Sequence, residues 1–264
     1  MEKEIGSLSS LDIKKIHNDY NSHIEDGTVV ENFGIVVVLD VLGWKNNVKP
    51  NDVATYFHLV NRLRSKLLDT CLRCSDKDEK PNVNISTLSD TIVILINGST
   101  PYNELNIFNH ISNFLTESLK YGFMFRGSIS RGKYYTNTLN NSFVGETYYE
   151  AAKYAESTEW AGVIINDTLA KDLLENNTIK ELVKLNIIKY EDIPFKNGIE
   201  RTKESLVLLP FQDFRYDIKS KEVVYFDFIS KYEKLMAGSE SNKKKLANTI
   251  KFFNYLYCTY WKKG

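Results

Sequence analysis

The chain reads as an α+β domain, a central and mainly antiparallel sheet with helices packed on it. Three observations predict this class. Strand-like and helix-like stretches follow one another as β, α, β-β, α, β-β, α, β over residues 34–166, the order of a split βαβ core with an inserted hairpin. Two strand candidates, 35–39 and 91–96, are short unbroken apolar runs, as expected where both faces of a strand are covered. Between them lie amphipathic stretches long enough to be helices that cover such a sheet.

In chain order, residues 8–25 place Leu11, Ile13, Ile16, Tyr20 and Ile24 near helical spacing, and Glu25-Asp26-Gly27 ends that helix. A buried strand follows over about 34–42. It runs from Ile35 to Leu39 and then meets Asp40. An ionised carboxylate there is costly to bury unless it is paired or bound to a metal. It also reads as a turn or helix-cap residue. Gly43 lets the backbone turn closely. Pro50-Asn51-Asp52 opens a helix carrying Val53, Tyr56, Phe57, Val60, Leu63, Leu67 and Leu68. Residues 75–81 form a solvated loop. Residues 82–88 alternate, Ser89-Asp90 turns, and 91–96 returns as a strand. A second carboxylate, Asp90, thus sits at a hairpin tip, where a polar turn pair is the plain reading. Pro101 starts a helix to about Tyr121.

Residues 123–130 read as the next strand. Arg126-Gly127 interrupts it, and Gly127 suggests close backbone approach. Phe143-Val144-Gly145 leads into a helix at 146–157, and 160–165 is a strand. Beyond 166 the expected elements are short helices at 168–176 and 179–184, edge strands at 187–190 and 205–209, and helices at 227–236 and 242–260. Lys243, Lys244 and Lys245 read as a solvated helix end.

The bulk properties exclude several classes. Lys+Arg and Asp+Glu are both 34, so no global basic field favours nucleic acid or an anionic membrane. No run approaches the ~18 apolar residues of a membrane span. The start, Met1-Glu2-Lys3-Glu4, lacks an apolar signal core, so the expectation is a soluble, cytoplasmic protein. Cys71, Cys74 and Cys258 make no disulfide framework, and no histidine spacing completes a zinc site with Cys71-Leu-Arg-Cys74. If Asp40 and Asp90 end neighbouring strands, the two carboxylates can hold divalent cations together.

Several strings resemble the adenylate/guanylate cyclase superfamily of class III nucleotidyl cyclases. Leu39-Asp40-Val41-Leu42-Gly43-Trp44 resembles its first metal-binding strand and turn, and Leu88-Ser89-Asp90 its second metal aspartate. Phe125-Arg126-Gly127-Ser128-Ile129-Ser130-Arg131-Gly132 resembles the strand that follows. Phe143-Val144-Gly145-Glu146-Thr147-Tyr148-Tyr149-Glu150-Ala151-Ala152 resembles the entry to the catalytic helix. The similarity covers about 34–166. The superfamily's adenine-selecting lysine falls on Ser86 and its aspartate partner on Ser142. Its transition-state asparagine falls on Tyr149, and the arginine one turn later on Lys153, which keeps the charge. The strings FRGSISRGKYY, FVGETYYEAAKYAESTEWAGVII and NTIKFFNYLYCTYW resemble the pyrimidine cyclases of bacterial Pycsar antiphage systems. Asn248-Thr249 belongs to the last of them.

The resemblance implies a ferredoxin-like, palm-type cyclase fold with a C-terminal helical extension. It divides the chain into an N-terminal helix and linker (1–33), a catalytic core (34–166) and strands and helices packed on that core (167–264). It implies conversion of UTP, or alternatively CTP, into the 3′,5′-cyclic monophosphate, a messenger for a separate effector, in a homodimer with metals from one chain and helix-entry residues from the other. Two Mn²⁺ or Mg²⁺ per site would rest on Asp40, Asp90 and the Val41 carbonyl. Leu42, Gly43 and Trp44 would approach the phosphates, and Ser86 and Ser142 would read the base edge, since hydroxyls donate and accept. Arg126, Lys133 and Lys153, with Arg131, are the candidate cations, and Trp44 or Tyr149 would stack on base or ribose, with core packing the other reading of Trp44. Three rival readings accompany this one: a purine cyclase, opposed by Ser86 and Ser142; a catalytically silent nucleotide sensor, opposed by Asp40 and Asp90; and a palm-type polymerase, opposed by zero net charge.

Overall fold

The structure, a computed structural model, describes residues 29–43, 50–74, 83–97, 101–137, 142–197, 202–210, 230 and 240–261. The expected helix at 8–25, the loop at 75–81 and Trp44 lie outside the described residues, as does the expected helix at 227–236 apart from Ser230.

The aliphatic run that opens the argument forms the middle of strand β1 (Val29–Val41), where every residue from Ile35 to Leu39 is buried. Burial on both faces follows from its neighbours. β1 pairs antiparallel with β3 (Thr91–Asn97) on one side and along its full length with β4 (Phe125–Asn137) on the other. Strand β2 (Val83–Leu88) forms the hairpin with β3. The sheet runs β2-β3-β1-β4-β6-β8-β7, with β6 at Val163–Ile165, β7 at Ile187–Lys189 and β8 at Leu206–Leu208. Strand β5 (Ser142–Val144) pairs off this path with the end of β4. Only β4 and β6 run parallel; the other pairings are antiparallel, giving the expected α+β class.

Alternation along β1 separates two packed faces. Ile35, Val37 and Leu39 join the core beneath helices α1 (Pro50–Cys74) and α2 (Pro101–Lys120). Val36 and Val38 face the other way, onto Ala151 and Ala155 of helix α3 (Glu146–Ser157). Each large aliphatic buried this way contributes about 1.5–3 kcal/mol relative to exposure. By the same alternation Asp40 belongs to the α3 face.

A third cluster fastens the C-terminal part. Trp160 is fully buried, stacks on Tyr190 with ring centroids 5.4 Å apart, and meets Phe252 edge-on at 4.5 Å. Phe252 belongs to helix α6 (Glu240–Leu256), which ends in a π-helical turn at Tyr257–Trp261. Helices α4 (Asp167–Asn176) and α5 (Ile179–Lys184) lie between β6 and β7 in sequence; a Thr178–Glu181 capping box starts α5. No described helix is long and apolar enough to cross a membrane.

Several features differ from the sequence expectation. β1 starts at Val29 and β4 continues to Asn137 because the added rungs are joined by polar pairs, which carry no apolar alternation: Asn32 donates to Thr136 at 3.0 Å and Asn97 to Asn32 at 2.9 Å. Gly127 does not interrupt β4. A Cβ there would stand 2.5 Å from the Val38 carbonyl oxygen, so the glycine is what lets β4 close on β1. Trp160 lies outside β6, in the bend that anchors α6. Finally, helix α6 gives way after Leu256 to the π-helical turn rather than continuing to residue 260.

Candidate active site

Strand register brings the two aspartates together. Asp40 stands one rung from the end of β1, opposite Thr91 on β3 and Arg126 on β4. Asp90 immediately precedes Thr91, in the turn where Ser89 takes φ 59°. The Val41 amide donates to the Asp90 carbonyl at 3.1 Å and the Leu42 amide to the Met124 carbonyl at 2.8 Å. These bonds tie the end of β1 to the hairpin tip on one side and to the chain leading into β4 on the other. Gly43 then turns the backbone at φ 79°, a left-handed conformation that favours glycine.

Arg126 fills the rung beside Asp40. Its Nε and Nη2 both donate to Asp40 Oδ2, at 2.8 and 2.6 Å, and its Nη1 donates to the Glu156 and Thr158 carbonyls at 3.2 and 3.3 Å. The guanidinium therefore links β1 to the C-terminal end of α3. Both side chains are largely withdrawn from solvent, 14% exposed for Arg126 and 17% for Asp40. Burial raises the Asp40 carboxyl above its ordinary value. The Arg126 charge and hydrogen bonds oppose that, while the Asp90 and Glu156 charges reinforce it. Burial, with the charges of Asp90 and Asp40, also pushes the Tyr56 phenol up.

Around these groups is a cleft of about 530 Å³. Asp40, Val41, Leu42, Gly43, Asp90 and Arg126 line it, as the sequence reading expects of its phosphate and metal side. Tyr148, Ala152 and Glu156 line it from α3, and Lys245 from α6. Sequence reasoning missed these four. The first three recur every four residues on one helix face, a signal legible at 146–157. For Lys245 the lysine run gave no such signal. The expectation that all three lysines form a solvated helix end is corrected here. Lys243 pairs with Glu240 and Lys244 with Glu159, but Lys245 lines the cleft. Burial, followed by the charges of Arg126 and Lys196, lowers its ammonium below the ordinary value.

The remaining candidates lie elsewhere. Lys133 donates to Glu31 at 3.0 Å near the far end of β4, where Tyr135 also donates to Glu31. Arg131 pairs with Asp172 at 3.6 Å. Ser86 sits in β2 opposite Val93, with its hydroxyl 3.4 Å from Asn84. Ser142 is exposed in β5 opposite Asn137. Tyr149 is 67% exposed, and Lys153 is exposed with its ammonium 5.6 Å from the centre of the Tyr154 ring. None of these residues lines the cleft.

Among the described residues, no three His, Cys, Asp or Glu side chains cluster to hold a metal ion. Two carboxylates with a nearby carbonyl are nonetheless a hard oxygen set. They suit Mg²⁺ or Mn²⁺, which fill their remaining positions with water and phosphate oxygens. Asp40 already engages a cation, Arg126, in a half-buried setting, so the donors fit such an ion.

No family model and no curated protein matches the chain. Among solved structures it is similar to the catalytic core of a rhodopsin-guanylyl cyclase with converted specificity, crystallised in complex with ATPαS. The match has 12% identity and a TM-score of 0.42, covering 69% of this chain and 98% of that one.

Proposed function

We propose that the chain is a pyrimidine nucleotide cyclase that converts UTP into 3′,5′-cyclic UMP and diphosphate, its product serving as a messenger for a separate effector in antiphage defence. The carrying observation is the meeting of Asp40, near the end of β1, and Asp90, in the turn before the neighbouring strand β3, in one cleft with Arg126 between β1 and α3. The choice of a pyrimidine rests on the Pycsar-like strings and on Ser86 and Ser142, which stand where the superfamily's adenine-selecting lysine and its aspartate partner fall.

The reaction forms a bond between ribose O3′ and the α-phosphorus, breaks the α–β anhydride bond, and releases diphosphate and a proton. Asp40, Asp90 and the Val41 carbonyl would hold two Mg²⁺ or Mn²⁺, which when bound lower the pKa of the 3′-hydroxyl and neutralise charge on entering and leaving oxygens. The chain's own groups do the rest. The turn at Leu42 and Gly43 lines the side of the cleft where the phosphates would lie, with the Leu42 amide itself held by the Met124 carbonyl. Arg126, with a planar fork of donors, suits both a carboxylate and a phosphate, and its two carbonyl contacts hold it in place for either. Thr91 and Arg126 flank Asp40 on adjacent strands, so its position is set by the sheet and not by a loop.

The same reading assigns the catalytic core to 34–166, with 167–264 packed on it. It makes the assembly a homodimer: Ser142, Tyr149 and Lys153 point away from their own cleft and would serve the cleft of a second copy.

The test is incubation of the purified chain with UTP, CTP, ATP and GTP separately, each with Mn²⁺, and identification of the products by mass spectrometry. Cyclic UMP is the expected product. Cyclic CMP would move the assignment to the cytidylate branch, and a cyclic purine product would overturn the pyrimidine assignment.

A further inference from the structure

Helix α6 carries three consecutive lysines with three different fates. Lys243 and Lys244 end in ion pairs with Glu240 and Glu159; Lys245 enters neither pair and lines the cleft beside Arg126. Its placement is braced on several sides. Thr249 donates to the Lys245 carbonyl at 2.7 Å and accepts from the Ala161 amide at 2.8 Å. Asn248 donates to the Glu159 carbonyl at 2.9 Å. Phe252 and Phe253, both buried, seat the helix in the core around Trp160. Asn248 and Thr249 thus fix α6 to residues 159–161, directly after the Thr158 carbonyl that Arg126 also grips.

The result is a positive group assembled against a physical cost. Lys245 and Arg126 line one cleft; the charge of Lys196 adds to theirs at Lys245, while Glu159 and Asp40 offset it in part and Asp40 pairs with Arg126. Like charges held together on the partly dehydrated wall of a cleft repel unless an anion joins them. Asp40 meets part of that need through its pair with Arg126; were Asp40 and Asp90 to hold divalent cations, the two basic groups would be left for a further anion. The anion that fits beside two cations and a metal-binding carboxylate pair is a polyphosphate, whose oxygens accept charge-assisted hydrogen bonds from ammonium and guanidinium together.

We infer that Lys245 is a substrate-binding residue that acts within its own chain, reaching from the C-terminal helix to hold the terminal phosphates of a nucleoside triphosphate together with Arg126. This rests on the nucleotide reading of the cleft. It gives the segment beyond residue 166 a direct part in the site, in addition to extending the sheet.

Equilibrium binding tests it without turnover. The probes are 3′-deoxyuridine triphosphate, which lacks the attacking hydroxyl, and uridine monophosphate, each titrated with Mn²⁺ into the full chain. Loss of one charge-assisted contact corresponds to about a 10- to 100-fold weaker Kd. Lys245→Met is expected to weaken the triphosphate by that factor and leave the monophosphate within about twofold, while Lys245→Arg recovers most of the loss. Lys244→Met, which removes an ion pair outside the cleft, controls for loosening of the helix and is expected to bind both probes like the parent. Triphosphate affinity unchanged in Lys245→Met, or both probes weakened equally, overturns the inference. Lys245-dependent triphosphate binding by a chain that forms no cyclic product would sink the cyclase reading alone. Cyclic product formed by a chain whose triphosphate affinity ignores Lys245 would sink this inference alone. Failure of the parent to bind the triphosphate overturns both.

Discussion

The end of β1 and the outer face of α3 carry residues of the same expected site, yet the fold treats them in opposite ways. At the end of β1, Asp40 is fixed by a rung on each side, and its carboxylate is engaged by Arg126. On α3, Tyr149 and Lys153 are exposed, and Ser142 projects from a three-residue strand that pairs only with the end of β4. The first region is complete as a charge arrangement within one chain. The second is a set of side chains that do not line the cleft of their own chain. On the proposed reading the contrast is expected: groups that hold metal would need the rigidity of a central sheet, and groups that act across a subunit boundary would stand on the surface. Helix α3 presents Tyr148, Ala152 and Glu156 to the cleft and Tyr149 and Lys153 to solvent.

The sharpest way to break this contrast is Asp90→Ala. The Asp90 side chain forms no ion pair among the described residues, so the fold is expected to stay within about 1 kcal/mol of the parent. Activity is expected to fall about 10³-fold, the scale of losing a metal ligand. A chemical melt and a cyclic-nucleotide assay on one preparation separate the two. Arg126→Ala comes next. It leaves Asp40 half-buried without its cation and frees two carbonyls, so it should cost roughly 2–4 kcal/mol of stability as well as about 10²-fold in rate. An activity loss with unchanged stability would mean that the ion pair does not hold α3 to β1. Lys153→Ala should lower activity about tenfold with stability inside about 0.5 kcal/mol, as befits an exposed side chain. Mixing Lys153→Ala chains with Asp90→Ala chains should restore activity above the average of the two, because one of the two mixed sites is then intact. No gain on mixing would put the two regions in the same site of one chain.

The smallest effect expected is one of pH. The folded chain holds the Asp40 proton to a higher pH than the unfolded chain does, because burial raises its carboxyl. Between the unfolded and folded values the folded state binds more protons, so this group's contribution to stability declines as pH rises through that window. Urea midpoints of the parent and Asp40→Asn measured from about pH 3 to pH 7 should therefore draw apart, the parent losing ground to the variant as pH increases. A gap that moves the opposite way would mean that Arg126 outweighs burial at this site.

Much of this was legible from residue order. The unbroken apolar run at 35–39 announced a strand buried on both faces, and the alternating run before Ser89-Asp90 announced the hairpin; together they place both carboxylates at one end of one sheet. Gly127 was read correctly as a close approach but wrongly as a break, because glycine spacing cannot distinguish a kink from a strand drawn tight against its neighbour. The outer rungs joining β1 and β4 were invisible to hydrophobic periodicity because polar side chains such as Asn32 and Thr136 link them. Lys245 was hidden for a different reason. Three adjacent lysines on a helix point in different directions, and the seating of the helix through Asn248, Thr249 and Phe252 on residues 159–161, far apart in sequence, sets which of them faces the cleft.

The central claim, that the Asp40–Asp90 cleft forms a cyclic nucleotide, is tested most directly by one paired reaction. Parent and Asp40→Ala chains are incubated side by side with UTP and Mn²⁺, and 3′,5′-cyclic UMP and diphosphate are quantified together. Equal amounts of the two products from the parent, and neither from the variant, is the predicted result. Cyclic product from the variant at the parental rate, or diphosphate released by the parent without cyclic product, would contradict it.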